Sequence, residues 1–268
     1  ALPIYIFEVP SLSRSIPATR MCTGILLLVS VFLGPATVLS AETQLPLTAE
    51  EQQFVREHPL IRMCVDPRIM PFEMLDDNGQ HLGMVAHYMD LIAQQAGLEF
   101  QLVPTSSWSE SLQFARQSKC DILSALNQTA DRATYLIFSE PYISAWAALG
   151  VRNEGTDTIW GLEYMAGRKL AVVQDDFHDE LVSRDYPEIQ RVHVADITEG
   201  LSKVASGEVD AAIGPLLVVA YQVQQLDLDN LAIMGRTRYQ NLLRIGVRQD
   251  YPLLVSIFNK AIKTLTPQ

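Results

Sequence analysis

At 268 residues, 48% of them hydrophobic, and with no low-complexity tract, the chain can bury one large core or two medium ones, which excludes a disordered polymer. A formal net charge of −11 without any Lys/Arg cluster excludes a nucleic-acid binder of the usual basic kind. Three cysteines, Cys22, Cys64 and Cys120, lack metal-ligand spacing.

Residues 1–41 read as a leader. Arg14 and Arg20 precede the apolar run Gly24–Leu33, which has the length of a signal-peptide core and falls short of the ~20 residues a bilayer span needs. Val38, Ser40 and Ala41 offer small residues for cleavage, and Met21 reads as the true start. An uncleaved N-terminal anchor is the alternative; either way the remainder lies outside the cytoplasm, in the periplasm. In that compartment Cys64 and Cys120 are either small buried hydrophobes or a disulfide pair.

After a linker over 42–47, Thr48-Ala-Glu-Glu51 forms a capping box that opens a short helix ending near His58-Pro59. Leu60–Val65 reads as a strand. Gly83 precedes a helix with Val85, Tyr88, Met89, Ile92 and Ala96 on one face, stopped by Gly97. Leu98, Phe100 and Leu102 alternate as a strand. Ser109 caps a helix carrying Leu112 and Ala115, and strands are expected over Asp121–Ala125 and Ala145–Val151.

A second series follows: strand Leu170–Val173, a helix capped by Asp176 and running to Ser183, strand Val192–Val194, helix Ile197–Ser206 closed by Gly207, strand Val209–Gly214, and helix Leu216–Gln225. Strands Leu231–Met234 and Leu242–Val247 and a last helix over Tyr251–Leu265 complete the chain. Such alternation predicts mostly parallel sheets covered by helices, and two series predict two lobes with a ligand crevice at the carboxyl ends of the strands.

The span Thr48–Thr264 resembles bacterial solute-binding protein family 3. The resemblance rests on Asp121-Ile-Leu-Ser-Ala-Leu-Asn-Gln-Thr-Ala-Asp-Arg132 followed by Phe138-Ser-Glu-Pro-Tyr142, supported by Pro71-Phe72-Glu73, Gly83 and Gly207-Glu-Val-Asp-Ala-Ala212. Leu47-Thr-Ala-Glu-Glu51, His58-Pro59, Ser107-Trp-Ser-Glu110, Asn230-Leu231 and Arg248-Gln-Asp-Tyr-Pro252 bring it nearer to the family's extracytoplasmic sensor domains, found in front of histidine kinases and diguanylate cyclases. The resemblance implies a two-lobed α/β periplasmic Venus flytrap: lobe 1 over 48–146, lobe 2 over 147–235, and a return to lobe 1 over 236–268. It further implies a small-molecule ligand, a carboxylate, and a partner that is either a membrane signalling domain or an ABC permease. A sensor would continue past Gln268 into a membrane span, so the chain is either a fragment or a free-standing binder.

Within that resemblance Arg132 is the expected carboxylate clamp, its planar guanidinium matching a carboxylate bidentately. Asn127 and Thr129 would add donors. Trp108 takes the place of an aromatic wall, Phe72 is either packing or wall, and Glu73 is a candidate crevice acid. Gln174, Asp175 and Asp176 follow a strand and open a helix, where backbone N–H groups can meet an anion; Asp176 also reads as the N-cap, and Asp175 as an acid for a ligand ammonium. Amino-acid binders of the family carry an acid shortly after the Asp-Ala-Ala strand, where this chain has Pro215. That departure puts an ordinary α-amino acid in doubt, because an unpaired buried ammonium is costly. His178, beside Asp175 and Asp179, is read as solvated helix surface and not as a metal ligand. No cofactor and no catalytic residue is expected. The rival readings are a periplasmic dehydratase-like enzyme, for which Glu73 is the only candidate acid, and a flytrap that serves as a non-binding spacer.

Overall fold

In this computed structural model the described residues are 45–153 and 161–265, so the leader expectation on 1–41 lies outside them. The capping box forms as read. Thr48 Oγ1 accepts from Glu51 N–H at 3.2 Å, Glu51 Oε2 accepts from Thr48 N–H at 2.7 Å, and α1 (Ala49–Glu57) follows. Glu51 is buried and reaches Ser256 and Lys260 on the last helix, fixing the first helix to it.

Strand β1 (Leu60–Cys64) leads into a small antiparallel sheet, β2 (Arg68–Ile69), β3 (Glu73–Leu75) and β4 (His81–Leu82). Helix α2 (Met84–Ala96) starts at Gly83, whose φ is 106° and where a Cβ would sit 2.4 Å from the Phe72 carbonyl oxygen; only glycine fits both conditions. Its buried face is Val85, Met89, Ile92 and Ala96, and Gly97 at φ 68° ends it. Then come β5 (Glu99–Leu102), α3 (Trp108–Arg116), β6 (Ile122–Leu126), β7 (Leu136–Phe138) and β8 (Ile143–Arg152). Ser107, not Ser109, caps α3, because its hydroxyl accepts from Glu110 N–H while the Glu110 carboxylate accepts from Ser106.

The second series is β9 (Lys169–Val173), α4 (Phe177–Asp185), β10 (Gln190–Val194), α5 (Ile197–Ser206), β11 (Ala211–Pro215) and α6 (Leu216–Gln225), followed by β12 (Leu231–Arg248) and α7 (Pro252–Leu265). The two strands expected over 231–234 and 242–247 are one strand with register shifts between Met234 and Gln240.

The strand order is β10-β9-β11-β8-β12-β6-β1-β5, with β7 also on β12. Both outer parts are parallel, β9 pairing with β10 and β11, and β1 with β5 and β6. The middle is antiparallel: β12 runs back against β8, β6 and β7, and β11 against β8. This antiparallel share exceeds the sequence expectation, and its cause is that the two longest strands, β8 and β12, run in opposite directions. Residues 143–146 of β8 pair with 240–243 of β12, whereas 147–151 of β8 pair with β11. The largest apolar cluster runs through both halves of the sheet, taking in Ile61, Met89 and Phe258 as well as Leu201, Ala212 and Val219, and two smaller clusters flank it. Ala147, Leu149, Leu170 and Val182 lie in one, and Leu112, Leu123, Leu126 and Leu136 in another beneath α3. Cys64 and Cys120 are disulfide-bonded with Cα atoms 5.7 Å apart, so they join β1 to the turn before β6 and are more than buried hydrophobes.

Candidate functional site

The segments after β1 and β6 face the turns after β9 and β10 across a crevice, the place at the carboxyl ends of strands where open α/β sheets hold ligands. Among the described residues, two polar contacts cross it. Arg132 Nη2 donates to the Asp175 carbonyl oxygen at 2.9 Å, and Arg68 Nη1 lies 3.1 Å from Asp196 Oδ2.

Arg132 opens a 3-10 turn after β6 and is buried at 4% exposure. Its N–H bonds Thr129 Oγ1 at 3.3 Å, its Nη1 donates to the Asn127 carbonyl at 2.8 Å, and its guanidinium carbon sits 5.3 Å from the centre of the Trp108 ring. Burial pushes its pKa below the usual guanidinium value, opposed first by the nearby Asp176 carboxylate. One edge of the guanidinium is therefore held by the Asn127 carbonyl and the other by the Asp175 carbonyl across the crevice.

The other expected residues divide clearly. The Asn127 side chain bonds Asn241 and the Leu242 N–H, tying β6 to β12. Trp108 is buried beneath Arg132, and Phe72 is fully buried in the core, where its ring meets no crevice. Glu73 is also fully buried: Oε1 accepts from Asp66 N–H at 2.9 Å, and Oε2 meets Ser124 Oγ at 2.6 Å and His81 Nε2 at 2.8 Å. Its carboxylate holds the turn after β1 in shape. Gln174 is exposed, its N–H bonded to Val194 O in the sheet. Asp175 is exposed and left-handed at φ 60°, a conformation that aims its carbonyl at Arg132. Asp176 caps α4, as read from sequence.

The structure adds residues that the sequence reading passed over. A cavity of about 30 Å³ between the lobes is lined by Asp66, Arg68, Asp176, His178, Asp196 and Pro215, among others. Asp66 directly follows Val65 at the end of β1; burial pushes its carboxyl up, the Glu73, Asp176 and Asp196 charges add to this, and its pKa reaches about 7. Burial would raise Asp176 too, but His178 and Arg132 overcome it and hold the carboxyl at about 2. His178, read from sequence as solvated surface, is 2% exposed; its Nδ1 lies 2.5 Å from Asp176 Oδ2 and its Nε2 has no hydrogen-bond partner. The signal that points to Asp66 is its place at a strand's carboxyl end. Beyond Arg132 the crevice widens into a groove of about 1060 Å³ between α3 and α4, lined by Gln113, Arg116, Asp131, Asp179 and Ser183, among others. No group of three or more His, Cys, Asp or Glu suited to a metal ion occurs among the described residues. Nor is any helix among them long and apolar enough to cross a membrane.

A model of the bacterial extracellular solute-binding proteins, family 3, matches residues 61–268. The virulence sensor protein BvgS of Bordetella pertussis is 24% identical over 220 residues, covering 82% of this chain but only 18% of that sensor. The amino-acid-binding protein AabA of Dichelobacter nodosus is 22% identical over 246 residues, covering 88% of this chain and 91% of AabA. The crystal structure of the periplasmic VFT2 domain of B. pertussis BvgS superposes with a TM-score of 0.75 at 23% identity, over 83% of this chain and 95% of that domain. The fold is thus that of two-lobed Venus-flytrap binding domains.

Proposed function

This chain belongs to the bacterial extracellular solute-binding proteins, family 3, and on that premise we propose that it is an extracytoplasmic module whose lobes close on a small polar ligand. The observation that carries the reading is the position of Arg132. Its guanidinium touches both lobes, and the partner it has across the crevice is a neutral carbonyl. A ligand carboxylate that replaces this carbonyl gains a charge-assisted pair, worth more than the neutral acceptor it displaces. The ligand is accordingly carboxylate-bearing, an amino acid or a related acid, and it bridges the lobes.

The lobe boundaries, 48–146 with 236–268 and 147–235, form part of this proposal, with β8 and β12 as the joint. So does export across the membrane by the leader. The downstream role is sensory input to a membrane signalling protein, in keeping with the match to a sensor of which this chain spans under a fifth. Feeding an ABC permease is the second reading, favoured by the match over 91% of a stand-alone binding protein. Binding proceeds without turnover: Glu73, the one acid singled out for catalysis, is fully buried and its oxygens are committed to Asp66, Ser124 and His81.

The test is a thermal-shift screen against amino acids and small carboxylates. A ligand at about 100 times its Kd adds about 2.7 kcal/mol of stability, and Arg132→Ala removes that shift. A variant that still responds fully refutes the clamp. Turnover of a prephenate-like acid would refute the binding-only reading.

A further inference from the structure

Along β12 the residues Asn241, Leu243 and Ile245 are buried, while Leu242 between them is exposed. This alternation calls for an apolar residue at 241, and the chain instead buries a carboxamide at 1% exposure. A buried amide is tolerated where its donor and its acceptor both find partners. Asn241 Nδ2 donates to the Ala145 carbonyl on β8 at 3.3 Å, and Asn241 Oδ1 accepts from Asn127 Nδ2 at 3.1 Å.

Asn127 follows the last residue of β6. The pairing of β6 with β12 runs from Ile122 opposite Val247 to Leu126 opposite Arg244. One residue further on, the Asn127 side chain takes the place of the backbone ladder, its Oδ1 accepting the Leu242 N–H at 2.8 Å. Its main-chain carbonyl receives Arg132 Nη1 at 2.8 Å. The adjoining stretch of β12, residues 240–243, pairs with 143–146 of β8, the joint of the proposed lobes. One series of hydrogen bonds therefore runs from the Asp175 carbonyl through Arg132, Asn127 and Asn241 to Ala145 in the joint.

We propose that Asn241 is a positioning residue for Arg132: through the Asn127 amide it ties the clamp to the β8/β12 joint, so that engagement of Arg132 across the crevice and closure of the joint occur together. Asn241 itself touches no ligand. Without its Oδ1, Asn127 Nδ2 becomes a buried donor with no partner, and an amide in that state no longer fixes the Leu242 N–H or the carbonyl that orients the guanidinium. Closure must then order Asn127 as well as Arg132, which weakens it. The proposal rests on the solute-binding reading above and adds to it the link between the clamp and the joint.

The experiment measures the interlobe distance by double electron–electron resonance between nitroxide labels at Gln113 and Ser183, on opposite walls of the groove, in the ligand-free chain carrying Cys22→Ser. Asn241→Leu, close in size to the native residue, is expected to raise the ratio of long to short separations by about tenfold, as the loss of two buried hydrogen bonds implies. Asn241→Ser serves where the leucine variant fails to fold, and circular dichroism checks each chain. Because Asn241 acts through Arg132, Asn241→Leu added to Arg132→Ala should shift the ratio no further than Arg132→Ala alone. The control is Ser139, a buried residue whose Oγ accepts the Ile245 N–H further along β12 at 2.9 Å; Ser139→Ala should lower Tm and leave the separations as they are. Native separations in both Asn241 variants overturn the proposal, and so does an equal shift in Ser139→Ala or a further full shift in the double variant. Native separations in Arg132→Ala as well would overturn the clamp itself, whereas native separations in the Asn241 variants alone leave the solute-binding reading intact.

Discussion

Asp66→Asn changes one oxygen to an amide nitrogen and keeps Oδ1 available for the Arg68 N–H, so it removes a charge with little change in packing. In the folded protein the Asp66 carboxyl keeps its proton up to about pH 7, whereas in the unfolded chain it loses it near the ordinary aspartate value of 3.8. Between those values the folded state binds one proton more than the unfolded state. Stability contributed at this position is therefore full below about pH 4 and falls as pH rises toward 7, by at most about 1.4 kcal/mol per pH unit. The full interval amounts to about 4 kcal/mol, and water entering the partly exposed crevice reduces this to about 2 kcal/mol. Urea unfolding of both proteins at pH 4, 5.5, 7 and 8 measures the difference. The variant should match the native protein at pH 4 and exceed it by about 2 kcal/mol at pH 8. Parallel stability curves, with no pH-dependent gap, would refute the placement of Asp66 among the other crevice acids.

Asp176 behaves oppositely: with its pKa held at about 2, its contribution is present above about pH 4 and is lost as pH falls toward 2, a loss that Asp176→Asn should remove from the acid limb of the same titration. Arg132→Ala removes the guanidinium and leaves the Asn127 and Asp175 carbonyls without its two hydrogen bonds, and should lower stability by about 3 kcal/mol in urea unfolding; an unchanged midpoint would contradict the two carbonyl contacts. The Cys64–Cys120 bond closes a loop across 56 residues, so Cys120→Ala with Cys64→Ala should cost about 2–4 kcal/mol, and dithiothreitol should lower Tm for the native protein alone. Gly83→Ala must relieve a 2.4 Å approach to the Phe72 carbonyl at a φ of 106°, and calorimetry should show a loss of more than about 1 kcal/mol.

Where local chemistry decides an element, the sequence was readable. The Thr48–Glu51 box, the glycine stops at Gly97 and Gly207, and the Asp176 cap all form as their residue types dictate. The β2–β4 sheet was illegible because strands of two or three residues have no periodicity to show. The continuity of β12 was hidden by the polar residues Arg238 and Gln240 in mid-strand. Arg132 stood out by its motif, but its bond to the Asp175 carbonyl, 43 positions away, could not be read from it. Glu73 drew attention as an acid near the crevice, yet it is spent inside the lobe. Its effect reaches the crevice through Asp66, whose N–H it accepts and whose carboxyl its charge pushes up. His178 looked like exposed helix surface because the residues around it are acidic, yet it is buried on a helix that packs against β9 and β10.

The central claim is that two lobes move about the β8/β12 joint and are drawn together across the crevice. Nitroxide labels at Gln113 and Ser183, on opposite walls of the groove, report the interlobe distance by double electron–electron resonance in a chain carrying Cys22→Ser. The account predicts two separations whose balance shifts toward the longer one when Arg68→Ala and Arg132→Ala remove the cross-crevice contacts, and back toward the shorter one with a binding ligand. One unvarying separation, indifferent to both the substitutions and every stabilising ligand, would contradict it.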